Sequence, residues 1–512
     1  MKPLLVLTII LHGIMLHGQT VFPTPTQTTV NDGQLVLQRK VSVCTADTAA
    51  PGLDILRTKV LGSIPIKWTT RASKAEICWQ TDSTMPSEGY RIQINRKQIV
   101  VSARDKGGFT YAAQTLRQLA ESRDETLIFG CADIQDAPRM QWRGFMLDSG
   151  RQFQQVATIK KYIDMASMLK MNYFHWHLTE GLGWRIEIKR YPRLAQVGGQ
   201  VGHGAEQQGF YTQQEIREIV EYAARRNVTV VPEIDMPGHA EAAIYAYPEL
   251  GCFGQPIDIP QTGFTHNIFC SGKDEVINFL KNVLDEVCTL FPSPYIHLGG
   301  DEAPKGNWKK CAYCQGRIAS YGLKDCHDLQ LWFSAQMAGH LKKKGRKAIF
   351  WGDVVYSDGY PLPDNAVIQW WNYRGHKDLA LRNAFKQHCP VICSPNYYTY
   401  LNFPVTPWRG YAEDRTFGLA EAYLHNPADK ISYDGDNSAM GMSCALWTDY
   451  GVTEAMIDER LFPRILALAE LMWHQGQRTD FATFYRNIQQ RKAWFIRQGY
   501  NFGPALKQEA DL

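Results

Sequence analysis

Gly144-Phe145-Met146-Leu147 is a short apolar run that begins just after Trp142 and gives way to a polar loop and an amphipathic helix, and the same unit recurs down the chain. Further strand-like runs begin near Tyr173-Phe174-His175-Trp176, Val228-Thr229-Val230-Val231, Tyr295-Ile296-His297-Leu298, Ala348-Ile349-Phe350-Trp351, Val367-Ile368-Gln369-Trp370, Val391-Ile392-Cys393 and Ser443-Cys444-Ala445-Leu446. Helices fit between most of them. Val276, Phe279, Leu280, Val283, Leu284 and Val287 follow the i, i+3, i+4, i+7 spacing that turns one apolar stripe toward a sheet. Thr212-x-x-Glu215 opens another helix with a capping box, which satisfies free backbone N–H groups ahead of Ile216, Ile219 and Val220. Strands that alternate with helices pair in parallel, and eight such units predict an α/β fold, a closed (β/α)₈ TIM barrel in place of an open doubly wound sheet.

Upstream of this region the texture differs. Residues 20–137 alternate short strands with turn signals, as in Tyr90-Arg91-Ile92-Gln93-Ile94, where every second residue is apolar. A polar turn ends in Gly107-Gly108, and a helical pattern runs from about Tyr111 to Leu119, which predicts a small α+β domain. Asp136-Ala137-Pro138 is the expected junction, because proline disfavours helix in the residue before it. At the start, Lys2 precedes an apolar run from Leu4 to Leu16 and a small Gly18, which reads as a secretory signal peptide. The expected organisation is a signal peptide over 1–18, a non-catalytic α+β domain over 19–137, and a catalytic barrel with C-terminal helices over 138–512. The chain is expected to be exported, to the periplasm or beyond, without an integral membrane segment after cleavage.

Composition narrows the function classes. Hydrophobic residues make up 45% and charged residues 21%, enough for a large core and unlike a disordered chain. Lys and Arg exceed Asp and Glu by 55 to 51, and +4 spread over 512 residues is too dilute for a nucleic-acid partner. Twelve cysteines are too sparse for a disulfide-held miniprotein. Cys311-Ala-Tyr-Cys314, followed by Cys326-His327, carries zinc-ligand types. A lone C-x-x-C is promiscuous, so ordinary loop cysteines are preferred to a structural zinc or a local disulfide, and no cofactor or catalytic metal is expected.

In a barrel the working groups stand just past the carboxyl ends of the strands. Arg143, Asp148 and Arg151 flank the first strand, His175, His177 and Glu180 follow the second, and Glu233, Asp235 and His239 the third. Asp301 and Glu302 follow the fourth; Trp351 with Asp353, Trp371, Tyr400 with Asn402, and Trp447 with Asp449 end the rest. Carboxylates, histidines and tryptophans gathered at one rim suit a sugar, whose C–H face stacks on aromatic rings while its hydroxyls meet charged groups. The densest segment is His297-Leu298-Gly299-Gly300-Asp301-Glu302. Adjacent residues in extended backbone point in opposite directions, so Asp301 and Glu302 are not expected to form the facing pair of a double-displacement glycosidase, which sits about 5 to 5.5 Å apart.

The His-x-Gly-Gly-Asp-Glu segment resembles the signature of family 20 glycoside hydrolases, the β-N-acetylhexosaminidases. Trp142 to Asp148, His175-Trp176-His177-Leu178-Thr179, Pro232 to His239, and Gly108 to Leu116 resemble further family segments in the family order. The resemblance implies an exo-acting enzyme that hydrolyses terminal β-linked GlcNAc or GalNAc from glycans with retention. In that scheme the substrate's own 2-acetamido oxygen attacks the anomeric carbon. Glu302 is then the general acid and base, with a raised pKa. Asp301, expected to stay ionised, orients the acetamido group. Arg143 is implied to bind the 3- and 4-hydroxyls. Asp235 and His239, with His177, are implied to support the catalytic acid. Trp351, Trp371 and Trp447 are implied to wall the acetamido methyl, and Tyr400 to hold its oxygen, with Trp408 a weaker candidate for the next sugar. Glu180, Asn402 and Asp449 are also expected at the substrate. Glu180-Gly181 stands where many members have two aspartates, Asn402 replaces a frequent Asp, and Asp449 a frequent Glu. One negative charge fewer near the 6-position implies tolerance of 6-O-sulfated GlcNAc. Disaccharide release, an inactive glycan-binding barrel and a cysteine-based zinc enzyme are the competing readings.

Overall fold

Every residue of Trp142–Asp148 is buried, as befits a strand covered on both faces. The computed structural model describes residues 20–503 apart from 39, 124–125, 203, 260–265, 373–376, 404–415, 432–438 and 450, so the expected signal peptide and Trp408 lie outside the described residues. Among the described residues eight parallel strands close into a barrel. In chain order they are Trp142–Asp148, Tyr173–His177, Thr229–Glu233, Tyr295–His297, Lys347–Trp351, Ala366–Trp370, Val391–Cys393 and Ala439–Leu446. The last strand pairs back on the first, with Gly441 opposite Trp142 and Leu446 opposite Leu147. All eight strand expectations are met.

The barrel's interior is divided along its axis. Toward the amino ends an apolar plug of Trp142, Val231, Tyr295, Ile349, Val367 and Ile392 fills the lumen. Trp142 stacks on Tyr173 with ring centroids 3.7 Å apart and meets Tyr295 edge-on. Toward the carboxyl ends the inward side chains turn polar: His175, His177, Glu233 and His297. A solid floor under a polar rim confines the chemistry to one end. The helices outside follow their sequence signals, with Thr212 and Glu215 forming the capping box of Gln213–Ala224. Asp274–Leu290 buries Val276, Leu280, Val283, Leu284 and Val287.

The N-terminal unit is a sheet in the order Gln27–Leu37, Thr126–Asp136, Tyr90–Ile94, Ile99–Ala103, Ile77–Thr81, Val41–Cys44, Ile66–Thr69, antiparallel at first and then parallel. Its longest helix spans Lys106–Leu119, starting earlier than the sequence pattern suggests. Gly107 and Gly108 belong to the helix because of close packing: a Cβ on Gly108 would lie 2.2 Å from the Gly89 carbonyl oxygen. Asp105 caps the helix by accepting from the Gly108 N–H.

This helix is wedged between its own sheet and the barrel, and the seam is polar and buried. Lys170 and Asp136, both fully buried, pair at 2.7 Å, and Tyr90 and Trp473 also donate to Asp136. Arg117 bridges to Asp164 at 3.0 Å. Arg143 belongs to this seam and not to the pocket, contrary to the sequence expectation. Its guanidinium donates to the carbonyls of Lys170 (2.7 Å) and Met140 (2.6 Å), to Glu88 (2.8 Å) and to the Tyr111 hydroxyl (3.2 Å). The reason is register. Arg143 is the second residue of its strand, at the amino end, whereas the rim carries Asp148 and the loop after it.

Candidate active site

The loop after the fourth strand is built by two glycines in conformations that side chains rarely adopt. Gly299 and Gly300 have φ of 62° and 98°. A Cβ on Gly299 would stand 1.8 Å from Asp235 Oδ1. The turn lets the Gly300 N–H donate to that oxygen at 2.9 Å, which locks the fourth loop to the third. Glu302 then takes φ 46°, a left-handed conformation for a non-glycine residue, and His239 on the facing loop takes φ 50°. The left-handed turn answers the adjacency problem: the backbone at Glu302 is not extended, so neighbouring acids reach the same space. Asp301 is buried and Glu302 exposed, yet both line one cavity of about 300 Å³.

Arg151, Trp371, Tyr400, Asn402, Trp447 and Asp449 share the lining with Asn372, Asn396 and Phe403. Trp371 and Tyr400 present nearly parallel rings with centroids 6.3 Å apart. Arg151 lies 5.1 Å over the Trp447 ring and pairs with Asp148 at 2.9 Å and Glu180 at 3.0 Å. Among the described residues it is the arginine that lines the cavity, and the sequence pattern had already placed it after the first strand without a role. Asn402 donates to Asp449 at 3.2 Å, and burial lifts the Asp449 carboxyl to about 6. Trp351 is fully buried and donates its indole N–H to Glu233 at 2.8 Å, so it backs the pocket behind Trp447.

Behind the lining runs a buried chain of alternating charge. Glu233 is hydrogen bonded to His175 (2.8 Å), His177 (2.6 Å) and Trp351, and His297 lies 3.1 Å away. Despite burial, these histidines hold its carboxyl well below the usual range. His177 reaches on to Glu180 at 3.3 Å, and Glu180 to His239 at 2.8 Å. His239 Nε2 stands 3.7 Å from Asp301 Oδ2. Burial opposes charge on both Glu180 and His239; Glu180 is nevertheless held well down by Arg151 and His239, and His239 is held up at about 9 by Glu180 and Asp301. Glu180 is thus a positioning residue shielded from the cavity, not the sugar contact expected for it. Asp235 and His239 converge on the loop and side chain of Asp301, where the sequence had them supporting Glu302.

Asp301 departs from its expectation too. Burial and the neighbouring Asp235 push its carboxyl well above the ordinary value, only partly offset by His239. Asp353, to which the sequence gave no role, ties two parts of the rim together. It accepts from the Trp371 indole at 2.5 Å and from the Glu302 backbone N–H at 3.3 Å, and burial raises it to about 6. The His175, Glu233 and His297 trio has metal-ligand chemistry. Glu233 is already engaged by three donors, however, which accounts for its charge without a cation.

A pair of acids under a barrel rim of this shape has close counterparts. The model of the glycosyl hydrolase family 20 catalytic domain matches residues 140–476. This chain belongs to glycosyl hydrolase family 20. Domain 2 of the same family matches residues 18–137. Among relatives of the family 20 chain, a beta-hexosaminidase of Porphyromonas gingivalis is 36% identical over 518 residues, covering 96% of this chain and 65% of that protein. The chain therefore spans somewhat less than two thirds of that relative's length. The crystal structure of a beta-N-acetylhexosaminidase from Bacteroides fragilis superposes with a TM-score of 0.92 at 58% identity, over 97% of this chain and 99% of that one. An exo beta-N-acetylglucosaminidase of Vibrio harveyi, solved with N-acetylglucosamine, superposes with a TM-score of 0.85 at 28% identity, over 96% of this chain and 79% of that one.

Proposed function

We propose that this family 20 chain is an exo-acting β-N-acetylhexosaminidase that releases terminal β-linked GlcNAc or GalNAc from glycans by a retaining, substrate-assisted mechanism. The observation that carries the reading is the placement of Asp301 and Glu302 on one small cavity with an arginine, a tyrosine and two tryptophans. Its volume of about 300 Å³ lies at the small end of the roughly 300–1,000 Å³ of ligand pockets, which suits one sugar ring better than an extended chain. The names of the Bacteroides and Vibrio proteins agree with it.

In this reading Glu302, exposed to the cavity, protonates the leaving oxygen. The acetamido oxygen closes on the anomeric carbon to give an oxazolinium ion, and Glu302 then takes a proton from the water that opens it. Asp301 accepts from the acetamido N–H and faces the developing positive charge. Both interactions favour its ionised form, so substrate and transition state bring down a carboxyl that burial holds high in the free pocket. His239, charged below about 9, favours the same state from behind. Tyr400 holds the acetamido oxygen, and Trp371 and Trp447 exclude water around the methyl. Arg151 takes the sugar hydroxyls in place of Arg143. Asn402 beside Asp449 leaves the far rim less negative, which supports acceptance of a 6-O-sulfate. The same reading takes the chain to be exported, on its apolar N-terminus, and among the described residues no helix is long and apolar enough to cross a membrane.

The test is a panel of aryl β-glycosides of GlcNAc, GalNAc, 6-sulfo-GlcNAc and glucose, with a thiazoline that mimics the oxazolinium ion. Turnover confined to acetamido sugars and tight thiazoline inhibition are expected. Equal hydrolysis of the glucoside would overturn substrate assistance.

A further inference from the structure

Four buried cysteines meet on the outer side of the catalytic loops. Cys252 and Cys270 lie on the segment between the third barrel strand and Asp274–Leu290, and Cys311 and Cys314 on the segment after the fourth strand. All four sulfurs lie within 4.8 Å of one another. Cys270 is 3.8 Å from Cys311 and 3.7 Å from Cys314, and Cys252 is 4.0 Å from Cys314. A tetrahedral zinc with Zn–S bonds of about 2.3 Å separates its sulfurs by about 3.8 Å. The observed separations are those of the edges of such a tetrahedron.

We infer that Cys252, Cys270, Cys311 and Cys314 form a closed tetrathiolate site for a structural zinc ion, which clamps the loop bearing Asp235 and His239 to the loop bearing Asp301 and Glu302. Binding releases the four thiol protons and leaves a tetrathiolate with two net negative charges. The surroundings suit that charge. Two positive side chains stand near: Lys273 donates to the Gly251 carbonyl at 2.8 Å, and Arg317, on the helix that carries Cys314, donates to the Gly272 carbonyl at 3.0 Å while also pairing with Asp274. The backbones are pressed together around the sulfurs, since a Cβ on Gly272 would lie 2.2 Å from the carbonyl carbon of Tyr313.

The Cys311-x-x-Cys314 pair was visible in the sequence, but its partners were not. Cys326 lies outside the group, and Cys252 and Cys270 come from about 40 to 60 positions upstream. The set is complete at four thiolates with no open position, which marks a structural site and not a hydrolytic one. The inference stands apart from the reading of the sugar pocket.

The test starts from the full-length chain, purified without added metal and desalted. Elemental analysis is expected to find about one zinc per chain, released when a mercurial titrates the thiols. Exchange with cobalt(II) is expected to give the intense visible bands of a tetrahedral thiolate complex, a readout that needs no variant. Cys311→Ser with Cys314→Ser should lose the zinc and lower the thermal midpoint, while Cys326→Ser should keep both. Two disulfides in place of metal, four free thiols without zinc, or stoichiometric zinc that survives the double substitution would each overturn the inference.

Discussion

Replacing either of two arginines by lysine separates recognition from architecture. Arg151 lies at the cavity between Asp148 and Glu180 and over Trp447. Arg151→Lys keeps a positive charge between those carboxylates but loses the planar fork that grips two sugar hydroxyls at once. A hydrogen bond to a charged group contributes roughly 1.5–3 kcal/mol. Loss of one in the transition state therefore lowers kcat/KM by about 10- to 150-fold. Arg143 makes four hydrogen bonds at the seam between the N-terminal sheet and the barrel. A lysine cannot span them all; with two such charge-assisted bonds lost at the same value each, Arg143→Lys costs roughly 3–6 kcal/mol of stability. Its kcat/KM should stay within about twofold, since it touches nothing in the cavity. Steady-state kinetics on an aryl β-GlcNAc substrate, with thermal midpoints of both variants, decides the matter. The reasoning is refuted if Arg143→Lys lowers kcat/KM as far as Arg151→Lys at unchanged stability.

Glu302→Gln should abolish hydrolysis of substrates with poor leaving groups and spare more of the turnover of activated aryl glycosides; activity near wild type on natural linkages contradicts its role as the acid. Asp301→Asn should lose most turnover of acetamido sugars, by about 100-fold or more if an electrostatic contact worth roughly 3 kcal/mol in the transition state goes. Asn402→Asp should lower hydrolysis of 6-sulfo-GlcNAc relative to GlcNAc, and an unchanged ratio removes the case for sulfate acceptance. The last prediction concerns pH. His239 is raised from 6.5 to about 9, so the stability it contributes is fully present below about 6.5 and is lost as pH rises through about 9. The shift corresponds to an upper bound on the order of 3 kcal/mol. Denaturant midpoints should fall between pH 6 and pH 9, and His239→Gln should flatten that fall; a wild-type midpoint independent of pH contradicts the charged histidine.

Much of the architecture was legible because it rests on local periodicity. Eight apolar runs interleaved with amphipathic helices have few packings other than a parallel barrel, and the capping box at Thr212 appears where the sequence put it. The start of the helix Lys106–Leu119 was misplaced for the opposite reason. Gly107 and Gly108 look like a turn in the sequence, and only the approach of Glu88 and Gly89 shows that they thin a helix face. In the site, the residue types and their strands were readable, but contacts were not. Whether His239 faces Asp301 or Glu302, and whether Glu180 meets the sugar or Arg151, depends on how side chains turn at the rim.

The sequence alone determined the strand and helix order, the rim on which the acids gather, and the adjacency of Asp301 and Glu302. These follow from spacing along one chain, which folding does not alter. Tertiary structure decided which arginine reaches the cavity, how a left-handed turn at Glu302 brings neighbouring acids onto one pocket, and which four of twelve cysteines meet. Each of these depends on closure of the barrel, which sets the ends of distant strands and loops side by side at separations that no pattern along the chain encodes.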